Sequence, residues 1–302
     1  MTYALLFSGQ GGQHGEMFPW LESAPAAQDA LMALARVVGP HWRDRLRHDA
    51  SRGANAFAQP VIVGTAVAAW QVLRPLLGCG PEVVAGYSIG ELAAFCAAGA
   101  MGPADAISLA ARRAELMDRA VAANDTGLVA ISGVTESEVI AACSGLECAI
   151  RLDRDNNVYG GARVAIDHAR DALGSRASFK PLCVALASHT SWMRPAQAGF
   201  DDAVRELGMK PSSCPVALDA TGATSREAGV LATALVAQLA QCVEWQSCLA
   251  AVAERQPSCA LEVGGGQALA RMWAARFPGI PVRSLDDFRT AEGAAAWIAR
   301  RA

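Results

Sequence analysis

One stretch constrains the fold of this chain more than any other: an apolar run, Glu82-Val83-Val84-Ala85, enters Gly86-Tyr87-Ser88-Ile89-Gly90 and leaves as Glu91-Leu92-Ala93-Ala94-Phe95-Cys96-Ala97-Ala98. The first part has the β-branched character of a buried strand and the last is a good helix former. G-x-S-x-G between them reads as a nucleophile elbow, in which two glycines let the backbone turn sharply and leave Ser88 Oγ exposed at the tip. The helix that follows aims its first amides at the same place, where they favour negative charge. A Gly-flanked serine in an ordinary loop is the bland alternative, and the strand and helix on either side speak against it. Ser88 is the candidate site of covalent chemistry.

Length and composition bound the rest. At 302 residues the chain exceeds the common single-domain size, so one large domain or a core with an inserted module is expected. Apolar residues make up 52% and charged residues 18%, which favours a well-buried globular core over disorder. A net charge of -3 offers no electrostatic footprint for nucleic acid. The local basic cluster Arg43-Asp44-Arg45-Leu46-Arg47 reads as a solvated face. No stretch approaches the roughly 18 consecutive apolar residues of a membrane span, and the N-terminus lacks the basic start of a signal peptide. Nine cysteines lie scattered without a C-x-x-C pair and read as reduced, buried small hydrophobes. A cytoplasmic protein with no membrane and no nucleic-acid partner is expected.

The order of elements suggests an α/β core with a mostly parallel sheet, interrupted once. Residues 3–7 read as a buried first strand that ends in the loop Ser8-Gly9-Gln10-Gly11-Gly12-Gln13. Helices are expected near 24–38, 61–76 (after Gln59-Pro60) and from Pro103 to about Ala123, with Pro in the first turn of the last. Beyond Asn124 the character changes. Strands at 128–131, 148–152, 162–166 and 182–186, with helices at 136–143 and 167–173, give the order βαββαβ, with Asn156-Asn157 and Gly160-Gly161 in a turn. That order is the ferredoxin-like signature. Strands at 215–218 and 258–263 and helices near 229–239 and 267–276 then resume the core. The expected organisation is a hydrolase-like α/β core from 1–123 and 190–302, with an inserted ferredoxin-like α+β subdomain at 124–189.

A serine nucleophile needs a base, and five histidines are available: His14, His41, His48, His168 and His189. α/β-Hydrolases carry theirs after the acid and near the C-terminus, whereas no histidine here lies beyond His189. His189 follows the apolar run Val184-Ala185-Leu186-Ala187-Ser188, at a strand exit that commonly presents functional groups. On residues alone it is equally a satisfied loop histidine.

Six motifs decide the matter by their order. They are Phe7-Ser8-Gly9-Gln10-Gly11-Gly12-Gln13, the elbow, Arg113-Ala114-Glu115-Leu116-Met117, Ser188-His189, Gln238-Leu239 with Val243-Glu244-Trp245, and Glu262-Val263-Gly264-Gly265-Gly266. Over essentially the whole chain this resembles the malonyl-CoA:acyl-carrier-protein transacylases, relatives of the acyltransferase domains of fatty-acid and polyketide synthases. The inserted ferredoxin-like module is a feature of that family too. The resemblance implies Ser88 as acyl-accepting nucleophile and His189 as general base. It places Gln10 beside an oxyanion hole completed by the amide of Ile89, and makes Gln238 the residue whose carbonyl orients the histidine in place of an acid. Arg113 matches the arginine that pairs with the free carboxylate of malonyl groups, a bidentate contact that lysine would not reproduce. Read without the resemblance, Arg113 is a surface helix arginine like Arg112, which points about 100° away around the helix. Malonyl-CoA as substrate and an acyl carrier protein as partner follow, with no cofactor or metal beyond the carrier's prosthetic thiol.

The chain also departs from the family pattern. Tyr87 stands for the usual histidine before the nucleophile, Ala114 for a glycine, and Ser8 and Gly265 for prolines, while the 153–161 turn matches an asparagine-rich segment poorly. These departures suggest a divergent branch, by preference the malonyl-transferase subunit of bacterial malonate decarboxylase, with the other subunits of that complex as further partners. A housekeeping fatty-acid or polyketide enzyme comes next, then a serine esterase or thioesterase. A non-catalytic carrier-binding scaffold comes last.

Overall fold

The computed structural model describes residues 2–48, 53–182 and 184–301. From the N-terminus the chain runs through β1 (Tyr3–Phe7), α1 (Gln28–Val38), α2 (Trp42–His48), α3 (Asn55–Leu73), β2 (Val83–Gly86), α4 (Gly90–Ala97) and α5 (Pro103–Ala120). A second unit follows with β3 (Thr126–Ser132), α6 (Glu136–Ala142), β4 (Leu146–Arg151), β5 (Asn156–Ala162), α7 (Arg163–Leu173) and β6 (Ser178–Pro181). The chain then returns through α8 (Arg194–Leu207), β7 (Val216–Ala217), β8 (Thr224–Ser225), α9 (Ala228–Ala237), α10 (Trp245–Ala253), β9 (Cys259–Val263), α11 (Ala268–Arg276), β10 (Val282–Ser284) and α12 (Ala291–Ala299).

The core sheet has the order β10-β9-β1-β2-β7-β8, parallel throughout except for the antiparallel edge pair β7–β8. Helices cover both faces, which is why Tyr3-Ala4-Leu5-Leu6-Phe7 is buried at all five positions and reads as a continuous apolar run rather than an alternation. Helix α3 is the central helix. It begins at Asn55, ahead of the expected start, and carries Pro60 inside. Proline there removes one i→i−4 hydrogen bond, and the burial of nearly every side chain from Asn55 to Trp70 outweighs that loss. The segment Asn55–Leu76 is 22 residues long with a mean hydropathy of 1.5, long and apolar enough to cross a membrane, which the sequence reading did not anticipate. In its apolar 18-residue window 83% of the residues are buried inside the protein, and its apolar character is that of a core helix.

The second sheet is antiparallel in the order β4-β5-β3-β6. Its strands alternate. Val129, Ile131, Tyr159 and Leu146 pack with Ile166, Ala169 and Leu173 of α7 in a separate small core, while Leu128, Ala130, Ile150 and Val158 face the cleft against the main sheet. Two expectations are corrected here. Asn156-Asn157 and Gly160-Gly161 are not a turn but lie in β5, and 163–166, expected in a strand, open α7. A Cβ on Gly160 would lie 2.8 Å from Thr190 Cγ2 and 3.0 Å from Leu128 Cδ2, so the strand needs a residue without a side chain at that position. Val164 is 76% exposed while Ile166, Ala169 and Leu173 are buried, a helical and not a strand periodicity. The strand expected at 182–186 is β6, four residues earlier. Residues 184–186 belong to the irregular segment leading to His189, and position 183 lies outside the described residues.

Other expectations fail on burial. Arg43 is not solvated: it is 8% exposed, donates to the carbonyls of Gly15 and Met17, and pairs with Glu22 at 2.6 Å. Among the cysteines, Cys79 is exposed and Cys96, Cys148 and Cys242 are only half-buried.

Candidate active site

Functional residues gather where the parallel strands end. Ser8 and Gln10 follow β1, Ser88 follows β2, and the Gly264–Gly266 loop follows β9. Ligands of open α/β sheets bind in the crevice outside these carboxyl ends. The elbow itself is held by close contact: a Cβ on Gly86 would lie 2.3 Å from the backbone of Gly90, and a Cβ on Gly90 would lie 2.3 Å from Phe7 O. Only glycine fits at either position. Between them Ser88 adopts a left-handed conformation with φ 55°, which costs a non-glycine residue about 1–3 kcal/mol.

Ser88 Oγ lies 2.7 Å from His189 Nε2. His189 also has a positive φ, 62°, and its own N–H donates to Leu239 O at 2.9 Å. On the far side of the ring, Nδ1 lies 2.7 Å from the main-chain carbonyl of Gln238. A carbonyl can only accept, so Nδ1 carries the proton and Nε2 presents its lone pair to Ser88. The imidazole is 2% exposed. Burial, and then the nearby Arg113 charge, push its pKa down to about 3 against the opposing pull of Gln238 O, so at neutral pH it is an unprotonated base.

Gln238 does more than orient the histidine. Its Oε1 accepts from Arg113 Nη2 at 2.9 Å, while Nε2 faces Ser88 O at 2.9 Å, Glu91 Oε2 at 2.8 Å and Asp219 Oδ2 at 3.0 Å. Arg113 is 2% exposed, so it is no surface arginine; Arg112 beside it is exposed and paired with Glu115. Arg113 Nη1 donates to Gln59 Oε1 at 2.9 Å, Nη2 stands 3.5 Å from Ser88 Oγ, and Nε has no hydrogen-bond partner among the described residues. Burial lowers its pKa to about 10, against the attraction of Glu91 and Asp219, and it remains a cation at neutral pH.

Ser88, His189, Arg113 and Gln59 border one cavity of about 540 Å³, a size suited to a small-molecule ligand. Gln10 and Ile89 line it with them, and Leu128, Ile150 and Leu152 of the second unit add apolar lining. Gln10 Nε2 is tied to Gly53 O at 2.9 Å. Tyr87 packs edge-on against Trp245, with ring centroids 5.0 Å apart. The arrangement can activate a hydroxyl, hold an anion beside it and shelter a short acyl group from water.

All six residues singled out in the sequence therefore border or brace one site, whereas His41, His48 and His168 lie exposed elsewhere and His14 pairs with Asp286 at 2.7 Å. Three others were not anticipated: Gln59, Glu91 and Asp219. Glu91 had a signal, being the one charged residue on an otherwise apolar helix. Asp219 had a weaker one, its place just past a short parallel strand.

A family model described as the acyl transferase domain matches residues 4–274. The malonyl CoA-acyl carrier protein transacylase of Mycobacterium tuberculosis is 32% identical over 290 residues, covering 93% of this chain and 95% of that protein. The enzyme of the same name from Escherichia coli is 25% identical and covers 88% and 90%. Among solved structures, FabD from Acinetobacter baumannii superposes with a TM-score of 0.90 at 26% identity over 100% of this chain and 99% of that one. MCAT from M. tuberculosis gives 0.89 at 30% identity, over 98% and 100%. The Ser88–His189 pair and the buried Arg113 thus sit in a fold and a sequence shared along nearly the whole chain, and the chain belongs to the acyl transferase domain family.

Proposed function

We propose that this protein moves a malonyl group from malonyl-CoA to the thiol of an acyl carrier protein through an ester on Ser88. The observation that carries this reading is the placement of a base and a cation around one hydroxyl: His189 Nε2 at 2.7 Å and Arg113 Nη2 at 3.5 Å from Ser88 Oγ. In malonyl the free carboxylate is only two bonds from the reacting carbonyl carbon, so a cation this close to the nucleophile suits a short diacid. His189 takes the Ser88 proton as Oγ attacks the thioester, and the carbonyl oxygen becomes an oxyanion held by the amides of Gln10 and Ile89. The C–S bond breaks and the CoA sulfur leaves with the proton from His189. The carrier thiol then gives its proton to the same nitrogen, attacks the Ser88 ester, and Ser88 Oγ recovers the proton as it leaves. Gln238 O keeps the imidazole in the required tautomer, though as a neutral acceptor it stabilises the imidazolium less than a carboxylate would. No cofactor is needed beyond the thiol carried by the partner.

Malonyl-CoA without acceptor is expected to add one malonyl group to the peptide carrying Ser88, as read by mass spectrometry, and Ser88→Ala to abolish it. An adduct that survives, or that maps to a cysteine, overturns the reading. Within this activity we favour the malonate decarboxylase branch in a reducing cytoplasm, on the strength of Tyr87, Ser8 and Gly265 at positions where the family carries other residues. Comparing transfer to the carrier of a malonate decarboxylase with transfer to a fatty-acid carrier separates the two branches.

A further inference from the structure

Directly beneath the nucleophile lie two carboxyl groups, Glu91 and Asp219, that transfer chemistry gives no task. Both are fully buried. Buried carboxyl groups are costly unless their hydrogen bonds are well placed, so their partners indicate what they do. Asp219 Oδ2 accepts the main-chain N–H of Ser88 at 2.7 Å and faces Gln238 Nε2 at 3.0 Å. Glu91 Oε1 accepts the main-chain N–H of Asp219 at 2.9 Å, and its Oε2 takes Gln238 Nε2 at 2.8 Å. Asp219 O in turn accepts from Glu244 N at 2.7 Å. Asp219 is therefore fixed on its own backbone by Glu91 and by the start of α10, and turns its side chain to the N–H of Ser88, a residue whose backbone is strained.

We propose that Asp219, braced by Glu91, is the positioning residue that holds Ser88 in its left-handed conformation and so keeps Oγ in line with His189. The proposal rests on Ser88 being the nucleophile. Three contacts act on the Ser88 peptide groups, from Asp219 on its N–H and from Gln238 Nε2 and Glu91 N on its carbonyl. The contact of Asp219 is the one on the N–H of the peptide preceding the strained φ, whose carbonyl, Tyr87 O, accepts from Gly90 N at 3.0 Å within the turn. An acceptor is what the position requires: Ser88 N and Gln238 Nε2 both donate to Oδ2, and the weaker Cys248 thiol lies 3.9 Å from Oδ1. Asparagine can turn its oxygen to Ser88 and its NH₂ toward Cys248, keeping the contact.

The test reads Ser88 directly, through its rate of phosphonylation by a small fluorophosphonate. This does not depend on the acyl group or the carrier, so wild-type labelling at Ser88 secures the nucleophile even where malonyl transfer fails. Since misplacement of a reacting group by about 1 Å costs about 10²-fold, Asp219→Ala is expected to slow labelling by about that factor, and Asp219→Asn to stay within about tenfold of wild type. Should the alanine variant not fold, Asp219→Ser replaces it, because its hydroxyl is too short to reach the Ser88 N–H. Stability gives an independent reading. In a Ser88→Gly background, where the left-handed backbone carries no penalty, removing the Asp219 side chain is expected to lower the urea midpoint more than in wild type, where relief of the strained φ offsets part of the lost contact. Labelling within about twofold of wild type in the alanine or serine variant overturns the proposal. So does an asparagine variant as slow as alanine, or an equal stability loss in the two backgrounds.

Discussion

In the proposed reaction Arg113 both attracts and rejects acyl groups. It is fully enclosed, its Nη groups already rest on the amide oxygens of Gln59 and Gln238, and it stands beside Ser88 Oγ. An acyl group with a carboxylate gains a desolvated, charge-assisted contact there, and one without it gains nothing. Truncating one partner of such a contact costs roughly 2–5 kcal/mol. Arg113→Ala is therefore expected to lower kcat/KM for malonyl-CoA by a few orders of magnitude while acetyl-CoA transfer holds or rises, with the exposed Arg112→Ala near wild type. An equal loss for both substrates would make Arg113 a structural residue. His189 carries a second expectation, about pH. Its ordinary pKa of 6.5 falls to about 3 in the folded protein, so the unfolded chain binds the proton more readily between those values. Stability should decline as pH falls from 6.5 toward 3 and be independent of this group above 6.5. His189→Ala should flatten that decline in urea titrations. It should also lose about 10²–10⁴-fold in transfer rate, the usual worth of a positioned base. In the wild type kcat/KM should show no acid limb near 6.5, and such a limb would mean the imidazole is not held neutral.

Elements show where local pattern is a good guide and where it misleads. The βαββαβ order of the second unit was legible because its apolar positions repeat in twos and in threes and fours. Its middle was not, since Asn156-Asn157 and Gly160-Gly161 carry turn chemistry yet pair along β5 with β3 and β4. The reason lies outside the segment: Thr190, next to the candidate base, and Ala187 leave no room for a side chain at 160. Gly160→Ala should accordingly cost about 1–3 kcal/mol as an overpacked contact and reduce transfer by displacing the loop that holds His189. Gly229→Ala is the matched control. It lies exposed in α9 with open space where its Cβ would go, and should gain about 0.5–1 kcal/mol as alanine replaces glycine in a helix. Urea midpoints and transfer rates for the two variants decide between packing and propensity.

On the scale of the whole molecule, the inserted unit is tied to the core beside the cleft it walls. Ala149 O accepts from Val243 N at 2.9 Å and Arg151 N donates to Val243 O at 2.8 Å, while the Arg151 side chain joins Glu136 of its own unit to Glu244 of the core. The sequence by itself determined the class of fold and the elbow, short patterns whose chemistry is carried by adjacent residues, while His189 as candidate base and Arg113 as candidate anion-binding residue were named only by the resemblance of six ordered motifs. What it could not determine is which polar groups are buried together. Ser88 and Asp219 are 131 positions apart, Glu91 and Asp219 128, and Arg113 and Gln238 125. Removing charges and amides from water is tolerated only where partners converge from distant strands and loops. That convergence turned an apparent surface arginine into a buried cation and made Gln238 the hub of the site. It also set two carboxyl groups under a strained serine, an arrangement only the packed molecule could decide.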